Sequence, residues 1–407
     1  MNYTQNEKIM SITEKTLVVG IDIGKDMQYA RAFDYRGIEL NTVMNFENSA
    51  YGFNLFEKWI KSVMKENKKT DITIGMEPTG HYWFNLAHYL KNIDARVVLV
   101  NPLHVKRSKE LDDNSQTKND RKDPKTIAKL VTEGRYSMPY IPEGIYSELR
   151  TAMYMRESIT KNLNKVSNNV TQWLDKYFPE FSDVFADWKG KAALIALRKF
   201  PTPEKVLSGG QQKILSCWKM SHRRIGDAKR AARLEEAAKA SVGIMSGLRM
   251  AEKELVAILE QYDLYMKQLN EVKIEIEELT LQVPGVKEAL TIKGIGMTTV
   301  AGFIAEVGEI TRFTHPSQIQ KLAGLNLIEN SSGKHRGKTV ISKRGRARLR
   351  ALLFRAIMPL VATNQEFKKL HEYYTTRKNN PLRKMQSLIL LCCKLIRIMY
   401  TIMTKQV

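Results

Sequence analysis

The stretch Leu17-Val18-Val19-Gly20-Ile21-Asp22-Ile23-Gly24-Lys25 is an apolar run of strand length that carries one carboxylate near its end. A second run of the same kind, Ile72-Thr73-Ile74-Gly75-Met76-Glu77, also ends on a carboxylate. Short apolar runs bounded by turn residues are typical of buried strands. Carboxylates on adjacent strands of one sheet can converge, so Asp22 and Glu77 are candidates for one shared site.

Strands and helices alternate around these two runs. The sequence predicts strands at 17–22, 29–34, 42–46, 72–77 and 96–100, and helices at 51–66 and 81–90. Strands that alternate with helices after an initial meander predict an α/β domain with a mixed sheet. Such an order fits a ribonuclease-H-like fold.

Two further carboxylates, Asp120 and Asp123, are three residues apart in a charged segment that ends at Pro124. A helical turn would place both on one face. Mg²⁺ prefers hard oxygen ligands, and a carboxylate cluster can hold one or two such ions on a phosphate. The candidate Mg²⁺ ligands are Asp22, Glu77, Asp120 and Asp123.

The charge balance of the chain favours a polyanionic partner. Its 407 residues include 65 Lys and Arg against 43 Asp and Glu, which gives a net charge of +22. Nucleic acid is the default partner of so basic a protein. The three cysteines contain no C-x-x-C pair. The sequence therefore supports neither a zinc site nor a disulfide framework.

The sequence also suggests where the protein is found in the cell. No signal peptide is recognisable at the start of the chain, and the most apolar stretch, residues 387–400, is interrupted by Lys394 and Arg397. That stretch is too short and too charged to span a bilayer. We expect a cytoplasmic, nucleoid-associated protein of a bacterial or archaeal cell, without a membrane partner.

A regular heptad pattern occupies the middle of the chain. Apolar residues recur every seven residues from Leu248 to Ile276, and a second apolar set follows three residues later, from Ala251 to Leu279. Five heptads with apolar a and d positions are typical of a coiled coil. A coiled coil at 248–282 predicts a homo-oligomer. The alternative is one long helix packed within a bundle of its own chain.

The most basic segment begins at Lys334, ends at Arg350 and contains no acidic residue. Glycines within it allow a backbone to approach closely. Together these features predict a surface that binds nucleic-acid phosphates. The eight cations are Lys334, Arg336, Lys338, Lys343, Arg344, Arg346, Arg348 and Arg350.

Several short motifs in a fixed order resemble those of the DEDD transposases, which are insertion-sequence recombinases related to the Piv-type DNA invertases. In the first half of the chain they are Gly20-Ile21-Asp22, residues 76–80, Asn101-Pro102 and Asp120-x-x-Asp123. In the second half they are Ile295-Gly296, Arg312-Phe313, Ala323-Gly324-Leu325, Ser332-Gly333 and residues 342–350. The resemblance covers residues 17 to 360.

The resemblance implies a RuvC-like domain in which the four candidate carboxylates bind Mg²⁺. It also implies that Ser332 is the nucleophile that attacks the scissile phosphate and holds the DNA covalently. Ser331 is adjacent and is the alternative. In family members a noncoding bridge RNA pairs with donor and target DNA, so base pairing largely selects the sequence. The family assembles as dimers that pair into a tetramer.

Three other functions are open at this point. A junction-resolving nuclease would use the carboxylates alone and leave free ends. A catalytically silent RNA-binding or DNA-binding protein would use only the basic segment. An actin-like ATPase shares the pattern Gly20-Ile21-Asp22-Ile23-Gly24, but its other phosphate and adenosine motifs are missing.

The expected fold class is α/β plus α, divided into five parts. They are a flexible N-terminus at 1–15, a RuvC-like DEDD domain at 16–145, a helical region at 146–283 with the coiled coil at 248–282, a serine-bearing transposase domain at 284–372 and a basic C-terminal helix at 373–407.

Overall fold

The computed structural model describes residues 4–112, 123–221, 228–329, 331–332, 335–337 and 339–406. The chain divides into two compact units, Met1–Pro142 and Glu143–Val407. The first unit is built on a mixed sheet and the second is mainly helical. The expected combination of an α/β unit with a helical one is therefore confirmed.

The first unit contains six strands and five helices in its described residues. The strands are β1 (Thr16–Ile23), β2 (Met27–Phe33), β3 (Met44–Glu47), β4 (Asp71–Met76), β5 (Arg96–Val100) and β6 (Tyr136–Ser137). The helices are α1 (Gln5–Met10), α2 (Ala50–Glu66), α3 (Trp83–Asn92), α4 (Pro102–Asp112) and α5 (Asp123–Thr132).

The sheet has the order β3-β2-β1-β4-β5-β6. Strands β1, β2 and β3 form an antiparallel meander. Strands β4 and β5 continue the sheet parallel to β1, and β6 is antiparallel to β5. The seven elements predicted between residues 17 and 100 all occur, within a few residues of their predicted bounds.

The two faces of the sheet carry separate apolar clusters. One cluster joins Leu17, Val19 and Ile21 of β1 to side chains of α2 and α3. The other joins Val18 of β1 to α5, where Ile127 is fully buried. Alternate residues of a strand face opposite sides, so the continuous apolar run of β1 supplies both clusters.

The first residues of the chain are more ordered than the sequence predicts. Thr4 caps helix α1 through a reciprocal capping box with Glu7. Gln5 donates a hydrogen bond to the carbonyl oxygen of Glu133, and Lys8 donates one to that of Tyr136. The expectation of a flexible N-terminus is therefore corrected for α1, which these contacts attach to the α5–β6 connection.

The second unit contains twelve helices and four short strands in its described residues. The helices are α6 (Gly144–Tyr177), α7 (Phe181–Val184), α8 (Lys191–Lys199), α9 (Pro203–Ser221), α10 (Ala228–Lys239), α11 (Leu248–Leu281), α12 (Val286–Leu290), α13 (Met297–Val307), α14 (Pro316–Leu322), α15 (Ala347–Thr363), α16 (Gln365–Thr376) and α17 (Lys384–Lys405). The strands are β7 (Leu327–Ile328), β8 (Ser331–Ser332), β9 (His335–Arg336) and β10 (Val340–Ile341).

The heptad segment forms one long helix, α11, which packs against α6. Trp173 near the end of α6 donates a hydrogen bond of 2.8 Å to the carbonyl oxygen of Ala251 near the start of α11. Leu255 and Ile258 of the heptad seam are buried in the same cluster as Val166 of α6. The apolar a and d residues of α11 thus pack against α6 of the same chain, as in the alternative of a helix within a bundle. An oligomer through this seam is not supported.

Helix α17 is long and apolar enough to cross a bilayer by length and composition, with a mean hydropathy of 1.7. The expectation that this region is too short and too charged to span a bilayer is therefore corrected: by length and composition alone, the helix could do so. Leu391, Leu395 and Met399 of α17 are buried in a core shared with α13 and α15. This packing accounts for the apolar composition of the helix.

Candidate active site

Asp22 and Glu77 lie side by side at the carboxyl ends of two parallel strands. Ile21 of β1 is paired in register with Met76 of β4, and Asp22 and Glu77 are the residues that directly follow this pair along the chain. Neighbouring strands are about 4.8 Å apart. Both side chains are half-buried. The register of the sheet thus places the backbone positions of the two carboxylates next to each other, as a shared site would require.

Two paired glycines allow α5 to lie directly on this part of the sheet. Gly20 and Gly75 are register partners on β1 and β4. A Cβ atom on Gly20 would lie 1.9 Å from the carbonyl oxygen of Pro124, and one on Gly75 would lie 2.4 Å from a methyl group of Val131. Gly20 and Asp22 are two residues apart on one strand, so they share a face of the sheet. Asp22 and Glu77 therefore occupy the face that α5 covers.

Asp123 is the first residue of α5 and is 9% exposed. It directly precedes Pro124, whose carbonyl oxygen contacts Gly20. The free N–H groups and the dipole at a helix N-terminus favour negative charge nearby. Strands β1 and β4 and helix α5 therefore bring Asp22, Glu77 and Asp123 to the same corner of the first unit.

The fourth predicted carboxylate, Asp120, lies outside the described residues. Within the described part of the chain, no three His, Cys, Asp or Glu side chains are close enough together to hold a metal ion. The donors present are nevertheless of the right kind for Mg²⁺, because carboxylate oxygens at the edge of a sheet are hard ligands. The carboxylates of this corner are thus chemically suited to Mg²⁺.

Ser332 lies in a β-hairpin of the second unit. Strand β7 pairs with β10, and β8 pairs with β9 farther along the same hairpin. Ser331 is the register partner of Arg336, and Ser332 that of His335. Both candidate nucleophiles therefore lie on one short strand of this hairpin.

Two cations of the basic segment, Arg346 and Arg350, donate hydrogen bonds to backbone carbonyl groups. Arg346 donates a 2.6 Å hydrogen bond to the carbonyl oxygen of Glu306. Arg350 donates to the carbonyl oxygens of Ala323 and Lys343, at 2.9 and 3.2 Å. Both guanidinium groups thus have structural partners, which the charge run alone does not reveal.

The other predicted cations differ in their surroundings. Arg348 stacks on the ring of Tyr154 at 3.8 Å and forms an ion pair of 3.0 Å with Glu157. Lys343 and Arg344 are exposed. Arg336 lies in β9, and Lys334 and Lys338 are outside the described residues. Among the described side chains, Lys343 and Arg344 fit the predicted phosphate-binding surface best.

Three arginines that are far apart in sequence meet at the end of α13. Arg150 donates to the carbonyl oxygen of Ala305, Arg346 to that of Glu306 and Arg312 to that of Val307. Positive charge at a helix C-terminus is favourable, because the last carbonyl groups lack partners within the helix. Sequence reasoning did not identify this cluster, since nothing in the sequence joins α6 to α13.

Comparisons with known proteins place both units in one family. Residues 19–179 match the family model for DEDD transposases of IS110-type elements, described as "Transposase", and residues 286–372 match the model "Transposase IS116/IS110/IS902 family". The chain is 22% identical over 397 residues to the insertion element IS116 uncharacterized 44.8 kDa protein of Streptomyces clavuligerus. That match covers 97% of this chain and 96% of the relative.

A second relative matches over a shorter region. It is the insertion element IS900 uncharacterized 42 kDa protein of Mycobacterium paratuberculosis, which is 22% identical over 216 residues, or 53% of each chain. The first family model begins in β1 and ends just after α6. The second begins at α12 and ends in α16, so it includes the serine-bearing hairpin. The chain belongs to the IS110/IS116/IS902 family of insertion-sequence transposases.

Proposed function

We propose that this transposase cuts and rejoins DNA with a RuvC-like carboxylate site in its first unit and a serine nucleophile in its second. The observation that carries the proposal is that Asp22 and Glu77 directly follow the register partners Ile21 and Met76, on the face that α5 covers. Transposases act on DNA, and the net charge of +22 suits a polyanionic substrate. The carboxylate ligands proposed are Asp22, Glu77, Asp120 and Asp123.

The topology of the sheet supports the RuvC-like assignment. An antiparallel meander that is extended by two parallel strands is the order expected of a ribonuclease-H-like domain. In this arrangement the first and fourth strands are neighbours, although 47 residues separate Ile23 from Asp71. Their adjacency brings together two carboxylates that are distant in sequence.

A bound Mg²⁺ would stabilise negative charge on the phosphate oxygens and assist loss of a proton from a coordinated hydroxyl group. The chain contributes the geometry. The backbone of β1 and β4 orients Asp22 and Glu77, and α5 covers the face on which they lie. Burial of Asp123 lowers the local dielectric, so its interaction with a cation is stronger than in water.

Ser332 accounts for rejoining as well as cutting. Its oxygen forms a bond to phosphorus while the bond to the departing strand breaks, and the departing strand takes up a proton as a hydroxyl group. No water is consumed, so the phosphodiester link is retained for the reverse attack by another strand end. A site with carboxylates alone would activate water and leave a cut end.

The partners proposed beyond DNA are a noncoding bridge RNA and further copies of the chain. The RNA would select donor and target sequences by base pairing, while the protein contacts the backbone. Because α6 buries the heptad seam of α11, a dimer or tetramer would use other surfaces. A cytoplasmic, nucleoid-associated location follows from the same proposal.

Trapping the covalent intermediate tests the proposed function. Wild-type protein on a nicked DNA substrate, after digestion and mass spectrometry, should yield a nucleotide attached to the peptide that contains Ser332. Ser332→Ala should form no adduct and cut no DNA, whereas Ser331→Ala should retain most of both activities, because the proposed nucleophile is the hydroxyl group of Ser332.

Each alternative gives a different result in the same experiment. DNA cleavage by Ser332→Ala, with no adduct in the wild type, would replace the covalent mechanism with a junction-resolving nuclease. An adduct on Ser331 would transfer the nucleophile to that residue. Wild-type protein that binds DNA and never cuts it would support a non-catalytic role.

A further inference from the structure

Arg156 on α6 has a buried guanidinium nitrogen without an acceptor. Its Nε is inaccessible to solvent and has no hydrogen-bond partner among the described residues. Burial lowers the pKa of Arg156 below its usual range. Withdrawing a charged donor from water costs free energy unless an anion or acceptor replaces the water. The surroundings of Arg156 are therefore those of an anion-binding group.

A second arginine, Arg355 on α15, lies close enough to act on Arg156. Its positive charge contributes to the lowered pKa of Arg156. Arg355 itself is exposed. Two positive charges held near each other repel, and an anion between them removes the repulsion. An anion bound between the two side chains would therefore be favourable.

The remaining charges between α6 and α15 leave an excess of cations. Glu157 forms ion pairs of 3.0 Å with both Lys161 and Arg348. Lys161, and then Arg348 and Arg355, hold the pKa of Glu157 below its usual range. Glu157 is thus already engaged by two cations, and a second carboxylate near Arg348, Glu306 of α13, forms an ion pair with Arg346. We name this patch the α6–α15 surface; its cations are Arg156, Lys161, Arg348 and Arg355.

Helix α13 fixes the spacing of the α6–α15 surface. Gly302 of α13 is buried between Leu352 of α15 and Met153 of α6, and a Cβ there would lie 2.9 Å from Leu352 and 3.3 Å from Met153. Arg150 of α6 also donates to the carbonyl oxygen of Ala305. The two helices that carry the arginines are thus packed on one buried helix, which makes the surface pre-formed.

We propose that the α6–α15 surface binds a phosphodiester group of the nucleic acid on which the protein acts, with Arg156 and Arg355 as its two ligands. The planar guanidinium groups suit phosphate oxygens, to which they can donate paired hydrogen bonds. The inference rests on the proposed nucleic-acid function. It adds two phosphate ligands, Arg156 and Arg355, that lie outside the Lys334–Arg350 segment and outside the carboxylate corner.

The test compares full-length wild type with the double variant Arg156→Leu and Arg355→Gln. Binding to a duplex DNA and to a single-stranded RNA is measured by fluorescence anisotropy over a series of salt concentrations. We expect affinity to fall about tenfold. The slope of log affinity against log salt should decrease by about 1 for each phosphate group that the variant no longer binds. Whether the variant binds DNA, RNA or both more weakly identifies which nucleic acid supplies the phosphate.

The control variant is Arg249→Gln, an exposed arginine at the start of α11, which should leave affinity and slope unchanged. Thermal unfolding of Arg156→Leu separates a binding role from a structural one. Replacing a half-buried arginine whose Nε has no partner with an apolar side chain should keep or raise the melting temperature. A melting temperature well below that of the wild type would instead give Arg156 a structural role and overturn the proposal.

Wild-type affinity and slope in the double variant would also overturn the α6–α15 site, while leaving the proposed function intact. Wild-type protein that binds neither nucleic acid would contradict both proposals. A loss of affinity in Arg249→Gln equal to that of the double variant would show that any surface arginine suffices, and would likewise remove the specific site.

Discussion

At the scale of single residues, the carboxylate corner depends on two positions without side chains. Gly20 and Gly75 are paired across β1 and β4, and each is covered by α5. Asp22 and Glu77 follow two residues later on the same strands. The sequence indicates the two carboxylates through their apolar strands. It does not indicate the glycines, because their role depends on a helix more than 45 residues farther along the chain.

Gly20→Val should displace α5 from the sheet and thereby also disable the carboxylate site. The added Cβ would meet a backbone oxygen at 1.9 Å, which cannot move aside as a side-chain end can, so we expect a loss of about 3 kcal/mol or more in the free energy of unfolding. Chemical denaturation measures this loss, and DNA cleavage should fall with it. Gly296→Ser is a suitable control, because no atom lies within 4 Å of a Cβ there. Equal stability of Gly20→Val and wild type would contradict the close approach of α5.

Asp22→Asn should abolish cleavage and leave the fold and nucleic-acid binding intact. The substitution keeps the size of the side chain and removes the charge that would hold a cation, so we expect a loss of about 10²-fold or more in cleavage rate. Cleavage assays in Mg²⁺ and after chelation measure the effect. Asp71→Asn, at the exposed opposite end of the parallel pair, is the matched control. Cleavage by Asp22→Asn at the wild-type rate would remove the metal-site assignment.

At the scale of elements, the heptad pattern predicts a helix accurately and its partner ambiguously. The predicted segment 248–282 and the helix Leu248–Leu281 nearly coincide. A seam with apolar a and d positions does not specify whether its partner is another chain or another helix of the same chain. Here the partner is α6, an equally long helix of 34 residues. Sequence alone could not decide this, because the pairing is a tertiary contact.

Leu255→Ala should destabilise the second unit without changing the size of any assembly. Leu255 is 1% exposed within the chain's own core, so its truncation should cost about 2–5 kcal/mol and lower the melting temperature by several degrees. Calorimetry measures the stability, and light scattering measures the mass. Val256→Ala, one residue on and 52% exposed, should change the stability by less than about 0.5 kcal/mol. Conversion of an oligomer to a folded monomer by Leu255→Ala would restore the intermolecular coiled coil.

The run of positive charge in the sequence is also ambiguous about the partners of its side chains. The sequence predicts the Lys334–Arg350 segment as one phosphate-binding surface. Arg346 instead donates to a carbonyl oxygen at the end of α13 and Arg350 to one beside the base of the hairpin, whereas Lys343 and Arg344 are exposed. A charge run in sequence does not show which cations have structural partners. Conversely, Arg156 stands outside any charge run, so the sequence gives no reason to select it.

At the scale of the whole molecule, the candidate chemistry is divided between two compact units. The four candidate carboxylates belong to Met1–Pro142, and Ser332 belongs to Glu143–Val407. Family resemblance supplies the link between them, since no spacing in the sequence relates a strand-end aspartate to a hairpin serine about 300 residues away. A divided site can be completed within one chain or between two chains. In a symmetric oligomer, each of two chains can supply one half to the other.

Mixing two inactive variants distinguishes these cases. If sites form between chains, Asp22→Asn protein supplies Ser332 and Ser332→Ala protein supplies the carboxylates, so an equal mixture should recover about a quarter of wild-type cleavage after random assembly. Cleavage of a labelled DNA substrate measures the recovery. A mixture of Asp22→Asn with Glu77→Gln is the control. This control mixture should stay inactive, because both variants lack the carboxylate half of the site. No recovery in the first mixture, with oligomers present by light scattering, would mean that each chain completes its own site.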